Sequence, residues 1–149
     1  MALTISDVET EIIDAIATGF EDDELAGLVK TIAGYHGELE DIVREVAQLI
    51  IPLPAVLVLY TGSQFSEPAN RSYDDSMSFT IVAACKDLRG REGLKAAMYP
   101  LLEALKTVLI DNTLDLDIEP LKPKSIEAVA VTKTYSIYAF DVETSFSMD

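Results

Sequence analysis

The chain has 149 residues, of which 26 are Asp or Glu and 11 are Lys or Arg, so its formal charge at pH 7 is −15. A strongly negative chain has little net attraction for nucleic acid or for an anionic membrane surface. The length favours a single domain over residues 1–149, and a hydrophobic content of 49% exceeds what one small core uses, which indicates an obligate oligomer.

The first predicted element is an amphipathic helix. Ser6 and Glu9 have the spacing of a capping box, and an apolar stripe follows them, so the pattern predicts a helix that ends near Gly19. The acidic run at residues 21–24 predicts a solvated loop, and no basic residue occurs before Lys30. The first fifth of the chain is therefore purely anionic.

A short strand and a second helix come next. The stretch GLVKTIAGY, residues 27–35, favours the strand, and GELEDIVREVAQLI, residues 37–50, has the apolar period of an amphipathic helix. Pro52 and Pro54 end that helix. The nearly continuous apolar run AVLVLYTG, residues 55–62, then predicts a strand that is covered on both faces or central in its sheet.

A polar segment studded with aromatic residues separates this strand from its partner, MSFTIVAAC, at residues 77–85. Pro, Asn and Ser within it are suited to turns. The segment is either a long hairpin loop or the extended arm of a hairpin whose tip leaves the body. A loop over residues 62–76 is expected to be mobile in the free subunit, and Phe65, Arg71 and Tyr73 are its candidate contact residues.

The remaining pattern predicts one helix and a final hairpin. Residues 94–109 carry a broad apolar stripe with Pro100 inside it, so the helix is either kinked there or begins only a few residues before the proline. An acidic connector and the KPK of residues 122–124 lead to strands at 125–132 and 134–146. The order αβαββαββ predicts an α+β fold: a mostly antiparallel sheet with helices packed on one face.

The turn KDLRGREG, residues 86–93, lies between a strand and a helix, where many proteins hold a phosphate. It has neither the glycine spacing nor the Gly-Lys-Ser/Thr ending of a Walker loop, and it lacks the dinucleotide pattern G-x-G-x-x-G. Gly90 and Gly93 are interpreted as structural turn residues. The turn nevertheless holds the densest group of basic residues in this acidic chain.

No residue set indicates catalysis or a bound cofactor. His36 is the only histidine and has no recognisable nucleophile pattern beside it, so it is interpreted as a loop residue. Cys85 is the only cysteine, which excludes an intrachain disulfide, and it ends an apolar strand, where it is expected to act as a small hydrophobe. The segment DNTLDLDIE, residues 111–119, lacks the glycine and the glutamate spacing of an EF-hand. The chain also lacks an N-terminal secretion signal and an apolar run of membrane-spanning length.

Several stretches together resemble the Mu-like phage family of tail terminator proteins, which belong to contractile tails. They run in the same order from about residue 12 to residue 146 and include LVKTIAGYHGELEDIV, LPAVLVLYTG, YPLLEALKTVL and LDLDIEPLKPKSIEAV. The most specific are DLRG after an apolar strand and the closing YAFDVETSF. The similarity is one of pattern, without a catalytic motif.

The resemblance implies a non-enzymatic α+β subunit that forms a hexameric ring at the head-proximal end of the tail tube. Such a ring stops tail polymerisation and offers a joining surface to neck or head-completion proteins. Its partners would be tube and sheath proteins, DNA would pass through it without specific binding, and the subunit would wait in the host cytoplasm until assembly. The alternative is a small cytoplasmic enzyme or ligand-binding module.

An acidic ring needs contacts that offset repulsion between its subunits. The expected subunit interface joins the basic turn of one subunit to the acidic end of the first helix of the next. Its basic residues are Lys86, Arg89, Arg91 and Lys95, and its acidic residues are Glu21, Asp22, Asp23 and Glu24.

Overall fold

The fold is taken from a computed structural model that describes residues 3–21, 27–67, 73–86 and 94–148, with the side chains of 94 and 95 excepted. In chain order the elements are α1 (Ile5–Glu21), β1 (Thr31–Gly34), α2 (Leu39–Ala47), β2 (Ala55–Ser66), β3 (Asp74–Lys86), a π-helical turn (Leu94–Met98), α3 (Tyr99–Leu109), β4 (Lys122–Val131) and β5 (Tyr135–Ser147). The predicted α+β class and the order αβαββαββ are confirmed.

One five-stranded sheet, in the order β1-β2-β3-β5-β4, organises the molecule. Three of its four pairings are antiparallel, and only β1 runs parallel to its neighbour, from Thr31↔Ala55 to Gly34↔Val58. Parallel neighbours need a crossover connection. The segment containing α2 supplies it.

The helices pack on both faces of the sheet. On one face α1 and α3 bury residues such as Ile12 and Leu105 against the β2 and β3 side chains that include Val58 and Phe79. On the opposite face α2 packs through Ile42 and Val46. The prediction of helices on one face therefore describes α1 and α3 but not α2, because an amphipathic pattern shows that a helix is half buried without showing which face it covers.

The first helix begins one turn earlier than its predicted cap. The Thr4 backbone N–H donates to Asp7 Oδ2 at 2.9 Å, and the Asp7 backbone N–H donates to Thr4 Oγ1 at 3.1 Å. Thr4 and Asp7 thus form the capping pair, whereas Ser6 lies inside the first turn. The helix then continues past the expected end at Gly19 to Glu21.

Two uncertain elements in the second half are also resolved. Pro100 lies in the first turn of α3, where a missing N–H breaks no helical hydrogen bond, so the helix begins just before the proline and is not kinked by it. The predicted connector ends sooner than expected, because Lys122 already pairs with Glu143 as the first residue of β4.

Candidate functional site

The segment after the apolar half of β2 is an extended arm. β2 and β3 stay paired as far as Ser66↔Asp74, and β3 stays paired with β5 as far as Asp74↔Ser147. We call residues 62–66, 74–78 and 143–147 the arm. The expected mobile loop over 62–76 was therefore too long, because both of its ends belong to a three-stranded ladder.

Exposed apolar side chains gather at the end of the arm. Phe65 is 61% exposed, Tyr73 is 51% exposed and Met148 is 48% exposed. Phe65 pairs with Asp75, and the Met148 backbone N–H donates to the Tyr73 carbonyl at 2.8 Å. By the two-residue period of strands, all three side chains lie on the face that carries α1 and α3. The structure thus brings together two of the three candidate contact residues, while Arg71 lies outside the described residues.

A buried carboxyl group lies within this face of the arm. Asp75 is only 7% exposed, and its Oδ1 has no hydrogen-bond partner. Its register partners are Phe65 on β2 and Phe146 on β5. A buried oxygen without a partner costs roughly 1 to 3 kcal/mol. Sequence reasoning missed this residue, because nothing in the run YDDS shows which aspartate faces inward.

The opposite face of the arm is polar. Ser76 Oγ donates to Ser145 Oγ at 3.3 Å, while Thr80 Oγ1 and Ser125 Oγ donate to the two carboxylate oxygens of Asp141 at 2.5 and 3.1 Å. This surface continues the face on which α2 packs, beyond the apolar part that α2 covers. It offers hydroxyl and carboxylate groups to a neighbouring molecule.

The predicted subunit interface is only partly described. Lys86 is exposed at the end of β3, and Glu21 is exposed at the end of α1. The other basic side chains of that interface, Arg89, Arg91 and Lys95, and its other acidic residues, Asp22, Asp23 and Glu24, lie outside the described side chains. The pairing of these two groups therefore remains a prediction.

His36 lies in an open depression of about 600 Å³ between the start of α1 and the end of β1. Ser6 and Glu9 line the same depression. No hydrogen bond joins His36 to either side chain in the described part of the chain. A nucleophile–base pair is recognised by such a bond, so the depression does not have the arrangement of a hydrolytic site.

A tyrosine beside the depression has a shifted pKa. Burial raises the pKa of the Tyr35 hydroxyl, and the nearby Glu45 carboxylate raises it further. The hydroxyl donates to Glu45 Oε2 at 3.0 Å, which ties the end of β1 to α2. The neutral tyrosine therefore serves as a structural donor.

The two remaining chemical candidates have structural positions. Cys85 is buried at the end of β3 within the apolar layer under α1 and α3, as expected for a small hydrophobe. Among the described residues, no group of three or more His, Cys, Asp or Glu side chains is arranged to hold a metal ion. Within the same residues, no helix is long and apolar enough to cross a membrane.

Comparison with known proteins confirms the resemblance to a Mu-like phage family. The family model described as "Bacteriophage Mu, Gp37" matches residues 4–147. A chain from the "Virion of native gene transfer agent (GTA) particle" has a similar fold, with a TM-score of 0.55 and 16% sequence identity over 91% of this chain and 93% of that chain. A search of curated protein sequences found no match.

Proposed function

Because this chain belongs to the Bacteriophage Mu, Gp37 family, we propose that it is a structural virion protein that caps the head-proximal end of the phage tail tube. In this role its subunits form a hexameric ring, stop tube polymerisation and present a surface to the neck or head-completion proteins. The observation that carries the proposal is the family match over residues 4–147, and the fold shared with a chain of an assembled particle supports it.

The arm is the surface that we assign to the tail tube. It ends in three exposed apolar side chains, Phe65, Tyr73 and Met148. Exposed apolar groups that lie together mark protein contact sites more often than isolated ones do. Arg71 belongs to the same proposed contact, and sheath proteins would meet the assembled ring and tube.

The charge of the chain suits the passage of DNA. With a formal charge of −15 per subunit, a ring of this protein repels the phosphate backbone and gives the duplex nothing to adhere to. The polar arm face, with Asp141 and Ser145, is suited to such a lining because it presents oxygen atoms. The subunit would reside in the host cytoplasm before assembly and in the neck-proximal end of the virion tail afterwards.

The experiment is a tube-capping assay with the tube protein of the same phage. Wild-type protein added to polymerising tubes is expected to bind one end and shorten the final length distribution. A variant carrying Phe65→Ser and Tyr73→Ser should fold normally and cap poorly, because it loses the apolar contact. The matched control is Ile50→Ser, since Ile50 is also 61% exposed but lies far from the arm in sequence, after α2.

Tubes of unchanged length in the presence of wild-type protein would contradict the capping role. Equal capping by the arm variant and the Ile50→Ser control would leave capping intact and remove the arm from it. A non-enzymatic role also predicts that no activity of the purified protein depends on His36.

A further inference from the structure

The sheet has an open edge along the arm. On the outer side of β2, β1 pairs only as far as Gly34↔Val58, and no other described strand continues that pairing. The open stretch Tyr60–Ser66 contains no charged residue and no proline. Native proteins usually protect an exposed strand edge with charges, prolines or a covering segment. An unprotected stretch indicates that something covers it in the assembled state.

The other edge of the same sheet is β4, which pairs only with β5. Most of its residues are exposed, and its two halves differ in character. The first half carries Lys122 and Lys124, and the second half carries the exposed apolar residues Ile126 and Val131. Both lysines have only long, exposed pairings within the subunit, at 3.5 Å to Glu119 and to Glu143, so they are available to a partner.

The two edges are complementary in direction and in chemistry. β2 runs antiparallel to β3, β3 to β5 and β5 to β4, so β4 of one copy meets β2 of another copy in the antiparallel sense when the copies follow each other head to tail. In that sense the lysines of β4 lie beside the far end of the arm, where Glu67 and Asp74 are. The apolar half of β4 lies beside Tyr60.

Space for the added strand exists where the pairing of β1 stops. The open depression of about 600 Å³ is lined by Tyr60 and Leu59 of β2 and by Ile5 of α1. Ile5 is exposed, so the depression offers an apolar wall beside the open edge. An incoming strand can therefore extend the sheet and cover apolar surface on α1 in the same step.

We propose that β4 of one subunit adds to the open β2 edge of the next subunit, antiparallel, with Lys122 and Lys124 against Glu67 and Asp74. The occupant of the open edge is thus a second copy of this chain. The contact uses different surfaces on the two copies, so repetition generates a closed ring or a filament. The inference rests on the proposed ring and names strands that join its subunits, in addition to the basic turn.

Disulfide cross-linking tests this contact directly. Placing Ser66 opposite Lys122 aligns the charges, and antiparallel partners have Cα atoms about 4.5 to 5.5 Å apart, within reach of a disulfide. The variant Ser66→Cys/Lys122→Cys is therefore expected to form covalent multimers on oxidation. Within one subunit the two positions are three strand spacings apart, roughly 14 Å, so an intrachain bond does not compete. The matched control is Ser66→Cys/Val131→Cys, because Val131 lies nine residues along β4, about 31 Å from Lys122.

Charge reversal gives a second, independent readout. Lys122→Glu with Lys124→Glu is expected to raise the concentration needed for ring assembly by about tenfold or more, and Glu67→Lys with Asp74→Lys in the same chain should restore it. Lys133→Glu makes the same kind of charge change in the turn after β4 and should have little effect.

The outcomes separate this contact from the ring itself. Rings in the wild type without cross-links in the Ser66/Lys122 variant would overturn the strand pairing and leave the ring standing. Cross-links without rings would support the pairing and overturn the ring. Cross-links in the Val131 control alone would overturn the antiparallel arrangement, and the absence of both cross-links and rings would overturn both proposals.

Discussion

Replacing Asp75 by valine is expected to stabilise the subunit. The side chain is 7% exposed, its Oδ1 has no partner, and its neighbours in register are Phe65 and Phe146. Removing a buried oxygen without a partner returns roughly 1 to 3 kcal/mol, and an apolar replacement of similar size adds contact with the two phenylalanines. For a chain of this size the melting temperature should rise by about 2 to 4 °C per kcal/mol.

The matched control is Asp74→Val, because Asp74 is the adjacent residue of the same strand and points to the opposite face, where it is half-buried. Both variants remove one negative charge and gain the same strand preference, so their difference isolates the buried oxygen. Urea denaturation with an unchanged m value measures that difference. A melting point for Asp75→Val at or below that of Asp74→Val would refute the reasoning.

Three further outcomes are expected. Arg89→Glu with Arg91→Glu should fold normally but fail to form rings, and charge reversal in residues 21–24 should restore some assembly; unchanged size in analytical ultracentrifugation would remove the two arginines from the interface. His36→Ala should leave assembly intact, as measured by microscopy of the variant. The pKa of Asp7 lies below its ordinary value of 3.8, chiefly because the Thr4 backbone N–H donates to it. Its contribution to stability is therefore present above that value and lost as the pH falls through the folded pKa, so Asp7→Ala should lower the melting temperature at pH 7 and have no effect at strongly acidic pH.

The sequence predicted the elements that have a strong local period. The continuous apolar run of β2, the paired strand β3 and the stripe of α3 each formed as expected, because apolar periodicity reflects burial directly. The prediction of a capping box one turn too late has a simple cause. Both Thr4/Asp7 and Ser6/Glu9 satisfy its spacing, and only the position of the helix start distinguishes them.

Features that depend on distant residues could not be predicted in the same way. The side of the sheet that α2 covers follows from the parallel pairing of β1 with β2, which is a contact between separate segments. The arm looked like a loop because its residues are polar, yet pairing on both sides of β3 makes it a strand ladder. The burial of Asp75 likewise depends on register with Phe65 and Phe146.

Negative-stain electron microscopy of the purified protein, at high and at low concentration, tests the proposed ring most directly. The family assignment and the head-to-tail complementarity of the two sheet edges predict flat rings of six subunits with a central opening, more abundant at the higher concentration. Compact single subunits at every concentration, without rings even when tail tubes are added, would contradict the proposal.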